Sequence, residues 1–129
     1  MPLKVIHATE AKPGTTIIID GSPCIVRNMD VSKTGKHGHS KCRIEAIDIM
    51  DGNKKVLAIP GHHKFDVPLV LKRRAQVLSV HGEISNIMDL ESYETLDVKI
   101  AEELKGEIET ENQVEYWDID GKKIIKRKF

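Results

Sequence analysis

Apolar and polar positions along the chain alternate over short runs, which is the period of a half-buried strand rather than of a helix. Cys42, Ile44 and Ala46 alternate with Lys41, Arg43 and Glu45. The phase then slips, because Ile47 and Ile49 are apolar on the other parity, and a bulge near Ala46 is the expected cause. Residues 16–19, 24–26, 55–59, 75–80, 84–90, 96–100, 114–117 and 123–125 also read as strands. Asp20-Gly21 ends the first of these runs, while Asp51-Gly52 and Asp120-Gly121 read as hairpin turns between neighbours. Only residues 101–110 carry a helical spacing, through Ala101, Leu104 and Ile108, with Glu102 and Glu103 in the first turn. Gly106 weakens that helix by about 1 kcal/mol relative to alanine.

The pattern predicts a mainly all-β protein with one short helix. Its strands divide into two β-rich stretches, residues 1–69 and 70–129, each small enough to protect its sheet edges best by closing into a barrel. Residues 66–70 read as an extended connector, because Pro68 restricts the backbone of Val67.

Composition narrows the class. The 129 residues include 20 Lys+Arg and 20 Asp+Glu, a formal net charge of zero, with 40% apolar residues. That is too apolar for a disordered chain and too neutral for a histone-like protein. The longest apolar runs, such as Ile17-Ile18-Ile19, fall far short of the roughly 20 residues a membrane helix needs. The first residues lack an apolar core of signal-peptide length, so a cytoplasmic protein with no membrane partner is expected. Cys24 and Cys42 are too few for a disulfide scaffold and fall in strand-like runs, where buried thiols are the natural reading.

The neutral total conceals an asymmetry. Residues 1–70 hold ten Lys/Arg against seven Asp/Glu, net +3, and residues 71–129 hold ten against thirteen, net −3. Five cations then crowd the end of the chain, at Lys122, Lys123, Lys126, Arg127 and Lys128. Halves of opposite charge suggest two units with different surfaces.

The densest chemical signal lies in residues 30–41, which carry Gly35 and Gly38, His37 and His39, and Lys33, Lys36 and Lys41. Hairpins usually close with two to five residues, so a longer polar loop is more often functional. Gly35 and Gly38 bracket Lys36 and His37, letting the backbone turn sharply and thrust one long cation outward. Arg27, Arg43 and Lys41 at the base add positive potential. The loop is not a phosphate-binding GxxxxGK[ST] motif, since Asp30 stands where its first glycine belongs. A metal site is not expected, because His37, His39 and His62-His63 lie in separate segments without a full ligand set. No pattern for nucleophilic catalysis is present, which points away from an enzyme and a small-molecule substrate. Nucleic-acid binding is the best physical reading, with a solvated tip as the alternative.

Residues 32–41, Ser-Lys-Thr-Gly-Lys-His-Gly-His-Ser-Lys, closely resemble the hypusine loop of the translation initiation factor 5A family. Gly21-Ser22-Pro23-Cys24, Ile47-Asp48-Ile49 and Asp66-Val67-Pro68 are similar to family features on either side of it. The compact length resembles the archaeal branch. The resemblance implies an N-terminal SH3-like barrel (1–69) carrying the loop and a C-terminal OB-fold (70–129). It implies that Lys36 accepts an aminobutyl group from spermidine through deoxyhypusine synthase, giving deoxyhypusine or hypusine and no other cofactor. Gly35, His37 and Gly38 would shape the loop for that enzyme. The family's loop reaches the acceptor end of the P-site tRNA on the ribosome and favours peptide bond formation at stalled sites such as proline runs. Lys33, Lys36, His39, Lys41, Arg27 and Arg43 would contact RNA. A free-standing RNA-binding protein or RNA chaperone is the alternative. Trp117, with Tyr116, is expected in the core of the second barrel, with base stacking as the competing role. The cations of Lys122–Lys128 would face ribosomal RNA or protect an edge strand.

Overall fold

The computed structural model describes residues 2–33 and 40–129. The chain folds as two compact units, Met1–Leu69 and Val70–Phe129. Both are built almost wholly of antiparallel strands.

The first unit contains β1 (Pro2–His7), β2 (Thr16–Ile19), β3 (Ser22–Lys33), β4 (Ser40–Asp48), β5 (Lys54–Pro60) and β6 (Lys64–Pro68). Strands β2-β3-β4-β5 form one sheet in sequence order, and β1 pairs with β6 in a second. Ile17, Ile44, Val26, Cys24, Cys42 and Phe65 fill the space they enclose. The segment read as a connector is itself strand, because Asp66, Val67 and Pro68 pair with β1. Asp20-Gly21 makes the tight β2–β3 turn, with φ of 50° and 78° and Ile19 opposite Ser22. Two successive left-handed residues give the twist that a right-handed hairpin needs.

The bulge expected near Ala46 lies on the partner strand. The β3–β4 register slips between Val26 and Asn28, leaving Arg27 as the extra residue. β4 keeps its phase, with Cys42, Ile44, Ala46 and Asp48 all buried. Asp48 therefore takes the interior position that the sequence pattern assigns to its apolar neighbours. Its carboxylate is satisfied there by the N–H groups of Met50 (2.8 Å) and Asp51 (3.2 Å). Lys55 adds an ion pair at 3.3 Å.

The second unit contains β7 (Val70–His81), β8 (Ile84–Asp89), β9 (Thr95–Ile100), β10 (Gln113–Ile119) and β11 (Lys122–Lys128). These close into a barrel in the order β10-β11-β9-β8-β7, with β10 returning to β7. The β11–β9 pairing is parallel. This five-stranded Greek-key circuit is the OB arrangement expected. Val77, Ile87, Val98, Val114, Tyr116 and Ile125 line its interior.

The helix expected over residues 101–110 is reduced to one 3₁₀ turn, Glu102–Leu104. The turn closes through bonds from the Leu104 N–H to the Ala101 carbonyl (2.9 Å) and from the Lys105 N–H to the Glu102 carbonyl (3.2 Å), and Gly106 then turns left-handed at φ 82°. Ile108 reaches the core without a helix to carry it.

Trp117 also departs from expectation. Val114, Tyr116 and Ile119 point inward along β10, which places Trp117 half-buried on the outer face. Tyr116 takes the interior because its hydroxyl has a buried partner, Asp89, and a buried phenol needs one. Nor is β11 a simple edge strand. It pairs with β10 along its length and with β9 at Ile124 and Ile125.

Candidate nucleic-acid interface

The central segment of the candidate loop, Lys36 with Gly35, His37, Gly38 and His39, lies outside the described residues. Its stem is described. β3 and β4 remain paired from Cys24↔Asp48 to Lys33↔Ser40. Alternation along this ribbon sorts the candidate cations by face. Lys41 and Arg43, two residues apart, share one face and stand opposite Ser32 and Asp30. Lys33 falls on the other face, in the row continued inward by Val31 and Cys42. Val31 is 47% exposed while Cys42 opposite it is 1% exposed, so the unit's core ends at this level of the stem. Lys33, Lys41 and Arg27 are exposed. Arg43 donates to Glu45 at 2.8 Å, and that carboxylate also lies 3.8 Å from Lys54. The stem thus presents cations on both faces rather than one continuous patch, and Arg43 is partly neutralised. Arg27 projects at the bulge, a position the sequence spacing had not distinguished.

A second group of cations lies on the outer wall of the barrel. Lys72 Nζ stands 4.6 Å from the centre of the Trp117 ring, and Lys126 Nζ stands 5.7 Å from it. Arg74 and Arg127 lie 4.0 and 5.0 Å from the Phe129 ring. Lys72, Arg74 and Phe129 were not candidates from sequence, because only strand pairing sets Lys72 opposite Trp117 and brings the chain's last residue back to Gln113 and Arg74. The cations of β11 divide their attention. Lys126 also pairs with Glu103 at 2.7 Å, and Lys128 donates to the Glu107 carbonyl at 3.1 Å.

The remaining charged chemistry is structural in its geometry. Asp89 accepts from Arg73 Nε (2.6 Å), the Tyr116 hydroxyl (2.5 Å) and the N–H groups of Glu91 (2.8 Å) and Ser92 (3.0 Å). The Arg73 hydrogen bond, with those from Tyr116 and the backbone, outweighs burial and holds the carboxyl well below its ordinary range. Burial and the bond to Asp89 push Tyr116 up to about 12. Burial, with Asp48 nearby, pushes the Cys24 thiol up to about 11, which makes it a poor nucleophile at neutral pH. Among the described residues no group of three or more His, Cys, Asp or Glu is placed to hold a metal.

Comparison with known proteins decides the family. The profile described as translation initiation factor 5A-like, N-terminal, matches residues 3–63. A translation initiation factor 5A of Pyrobaculum aerophilum is 42% identical over 132 residues, covering 99% of this chain and 96% of the relative. The chain belongs to the translation initiation factor 5A family. Another member, from Thermococcus onnurineus, is 42% identical over 128 residues, with 95% of this chain and 94% of the relative covered. Among solved structures, the factor from Methanococcus jannaschii superposes with a TM-score of 0.84 at 38% identity, covering 98% of this chain and 94% of that one. A translation initiation factor 5A family protein from Naegleria fowleri gives 0.75 at 30% identity, with 99% of both chains covered. The family resemblance carried by residues 32–41 is therefore borne out across the whole chain, and these relatives are named as translation factors rather than enzymes. No helix among the described residues is long and apolar enough to cross a membrane.

Proposed function

We propose that this translation factor works on the ribosome, in the cytoplasm, through the loop at the end of the β3–β4 ribbon. Lys36 carries a deoxyhypusine or hypusine side chain built from spermidine by deoxyhypusine synthase, which recognises Gly35, His37 and Gly38. The added four carbons and second amine give a longer, doubly cationic probe, directed at the acceptor end of the P-site tRNA. Catalysis is by positioning, since the ribosome forms the peptide bond and the factor restricts the reactants to a productive geometry.

The observation that carries this reading is the run from Ser32 to Lys41 in a chain of this family. A long paired stem with Lys33, Lys41 and Arg43 on its two faces supports it. Those cations, with Arg27 and His39, contact RNA phosphate and hold the stem between nucleic-acid surfaces. The Trp117 and Phe129 wall supplies a second contact, because aromatic rings flanked by cations suit stacking on single-stranded RNA.

The test is mass spectrometry of Lys36 in protein from its native host, followed by Lys36→Arg in a reconstituted polyproline synthesis assay. The reading expects a modified lysine and a loss of stimulation by Lys36→Arg, which keeps the charge but cannot be modified. An unmodified lysine with RNA affinity intact would favour the free-standing RNA-binding reading.

A further inference from the structure

Ser40, where β4 begins, is held by the turn that joins β5 to β6. The β4–β5 ladder runs to Lys41↔Pro60. One further bond extends it, because the Gly61 N–H donates to the Ser40 carbonyl at 2.8 Å. The Gly61 carbonyl in turn accepts from the Thr9 N–H at 3.4 Å. His63 closes the turn by donating to the Pro60 carbonyl (3.0 Å), and its own carbonyl accepts from Ala8 (2.8 Å). The first strand of the return from the Lys36 segment is thereby tied to the body of the unit.

Gly61 is buried, and its φ is not left-handed. Backbone freedom therefore does not explain a glycine here; space does. A Cβ on Gly61 would lie 2.2 Å from Ser40 Oγ, 3.0 Å from the Thr9 methyl and 3.3 Å from Ser40 Cβ. The hydroxyl can rotate away. The other two contacts are relieved only by moving the start of β4 or the 3₁₀ turn Ala8–Glu10, since packed contacts tolerate little compression.

We propose that Gly61 is a positioning residue for the loop. By having no side chain it lets the β5–β6 turn seat against Ser40, and so fixes the strand by which the chain returns from Lys36. Without that bond the strand pairing left to Ser40 among the described residues would be that to Lys33, across the ribbon. The functional part of this inference rests on the reading of Lys36 as the modified residue.

The experiment compares full-length wild type, Gly61→Ala, Ser40→Gly and the double variant. Two quantities are read: kcat/KM for aminobutyl transfer to Lys36 by deoxyhypusine synthase, and hydrogen exchange of the residue 61 amide. Gly61→Ala is expected to lower kcat/KM at least fivefold and to speed exchange at least tenfold, while the thermal midpoint falls by only a few degrees. Adding Ser40→Gly, which removes both Ser40 contacts and leaves the Thr9 methyl at 3.0 Å, should return both readouts most of the way to those of Ser40→Gly alone. Wild-type rates in Gly61→Ala, or a loss that Ser40→Gly does not rescue, would overturn the proposal. If wild-type Lys36 is not a substrate, the functional reading above fails, and exchange alone decides whether the clamp exists. If Gly61→Ala does not fold, recovery of folding in the double variant supports the steric clamp and failure of both overturns it.

Discussion

Asp48 and Asp89 occupy the same place in the same turn, one in each half of the chain. Each is the last residue of its strand, buried, and each donates its N–H five residues ahead, to the Asn53 (2.8 Å) and Glu94 (2.9 Å) carbonyls. Each accepts at its own carbonyl from the residue four ahead, Gly52 (2.9 Å) and Tyr93 (2.8 Å). Each carboxylate accepts from the N–H groups two and three residues ahead and pairs with a cation, Lys55 or Arg73. Two unrelated-looking segments thus solve one problem identically. A carboxylate at a buried strand end is tolerable only where its lone pairs are filled.

The two aspartates should differ in weight. Asp89 also accepts from the buried Tyr116 hydroxyl, so Asp89→Ala strands a phenol and a guanidinium at once and is expected to cost about 3 kcal/mol. Asp48→Ala leaves the two N–H groups, the Ser22 hydroxyl and Lys55 but no buried phenol, for about 1–2 kcal/mol. At about 4–8 °C per kcal/mol in domains of this size, calorimetry separates them. Trp117, the single tryptophan, reports the second unit by fluorescence. Equal losses would contradict the ranking.

Acid should act through the same pair. The Arg73 guanidinium, with Tyr116 and the turn N–H groups, holds Asp89 down. At Asp48 burial pushes upward, but the hydrogen bonds from Ser22, Met50, Asp51 and Lys55 outweigh it and the net shift is downward. Carboxyls with lowered folded pKa values contribute stability that is complete above the unfolded value, near 4, and lost as pH falls through the folded one. Thermal midpoints between pH 7 and 5 should be flat and should fall steeply below about pH 4. Asp89→Asn should flatten that acid limb; an unchanged limb would remove Asp89 as its source.

Tyr93 and Gly52 are counterparts with different chemistry. Both are left-handed, at φ 61° and 77°, a region that costs a side-chain-bearing residue about 1–2 kcal/mol. Tyr93 is 72% exposed and recovers little of that by burial. Tyr93→Gly should therefore raise the urea midpoint by the equivalent of about 1 kcal/mol, with an unchanged denaturant slope.

RNA affinity should distinguish the stem cations. Lys41→Ala should lower the slope of log affinity against log salt by about 0.7 for a single-stranded probe. Arg43→Ala should do less, because Glu45 already holds that guanidinium at 2.8 Å. Trp117→Ala should weaken a single-stranded oligonucleotide by about 1–3 kcal/mol if a base stacks there. Unchanged affinity would confine RNA contact to the first unit.

The sequence alone determined the fold class, the places of most turns and the family. These rest on local signals: alternation of period two, Asp-Gly pairs between strand-like runs, and a ten-residue run of unusual composition. Tertiary structure decided what local signals leave degenerate. Tyr116 and Trp117 are adjacent aromatics, so alternation permits either to face inward, and a carboxylate 27 residues away settles it. Asp48 looks misplaced until the turn folds beneath it. Residues 101–110 carry a helical spacing, but the left-handed turn at Gly106 leaves one 3₁₀ turn. The local sequence does not reveal why residue 61 is glycine, because the atoms that exclude a side chain there belong to Ser40 and Thr9. Periodicity reports what a residue does within its own element; burial, ion pairs and close approach depend on which element comes to lie beside it.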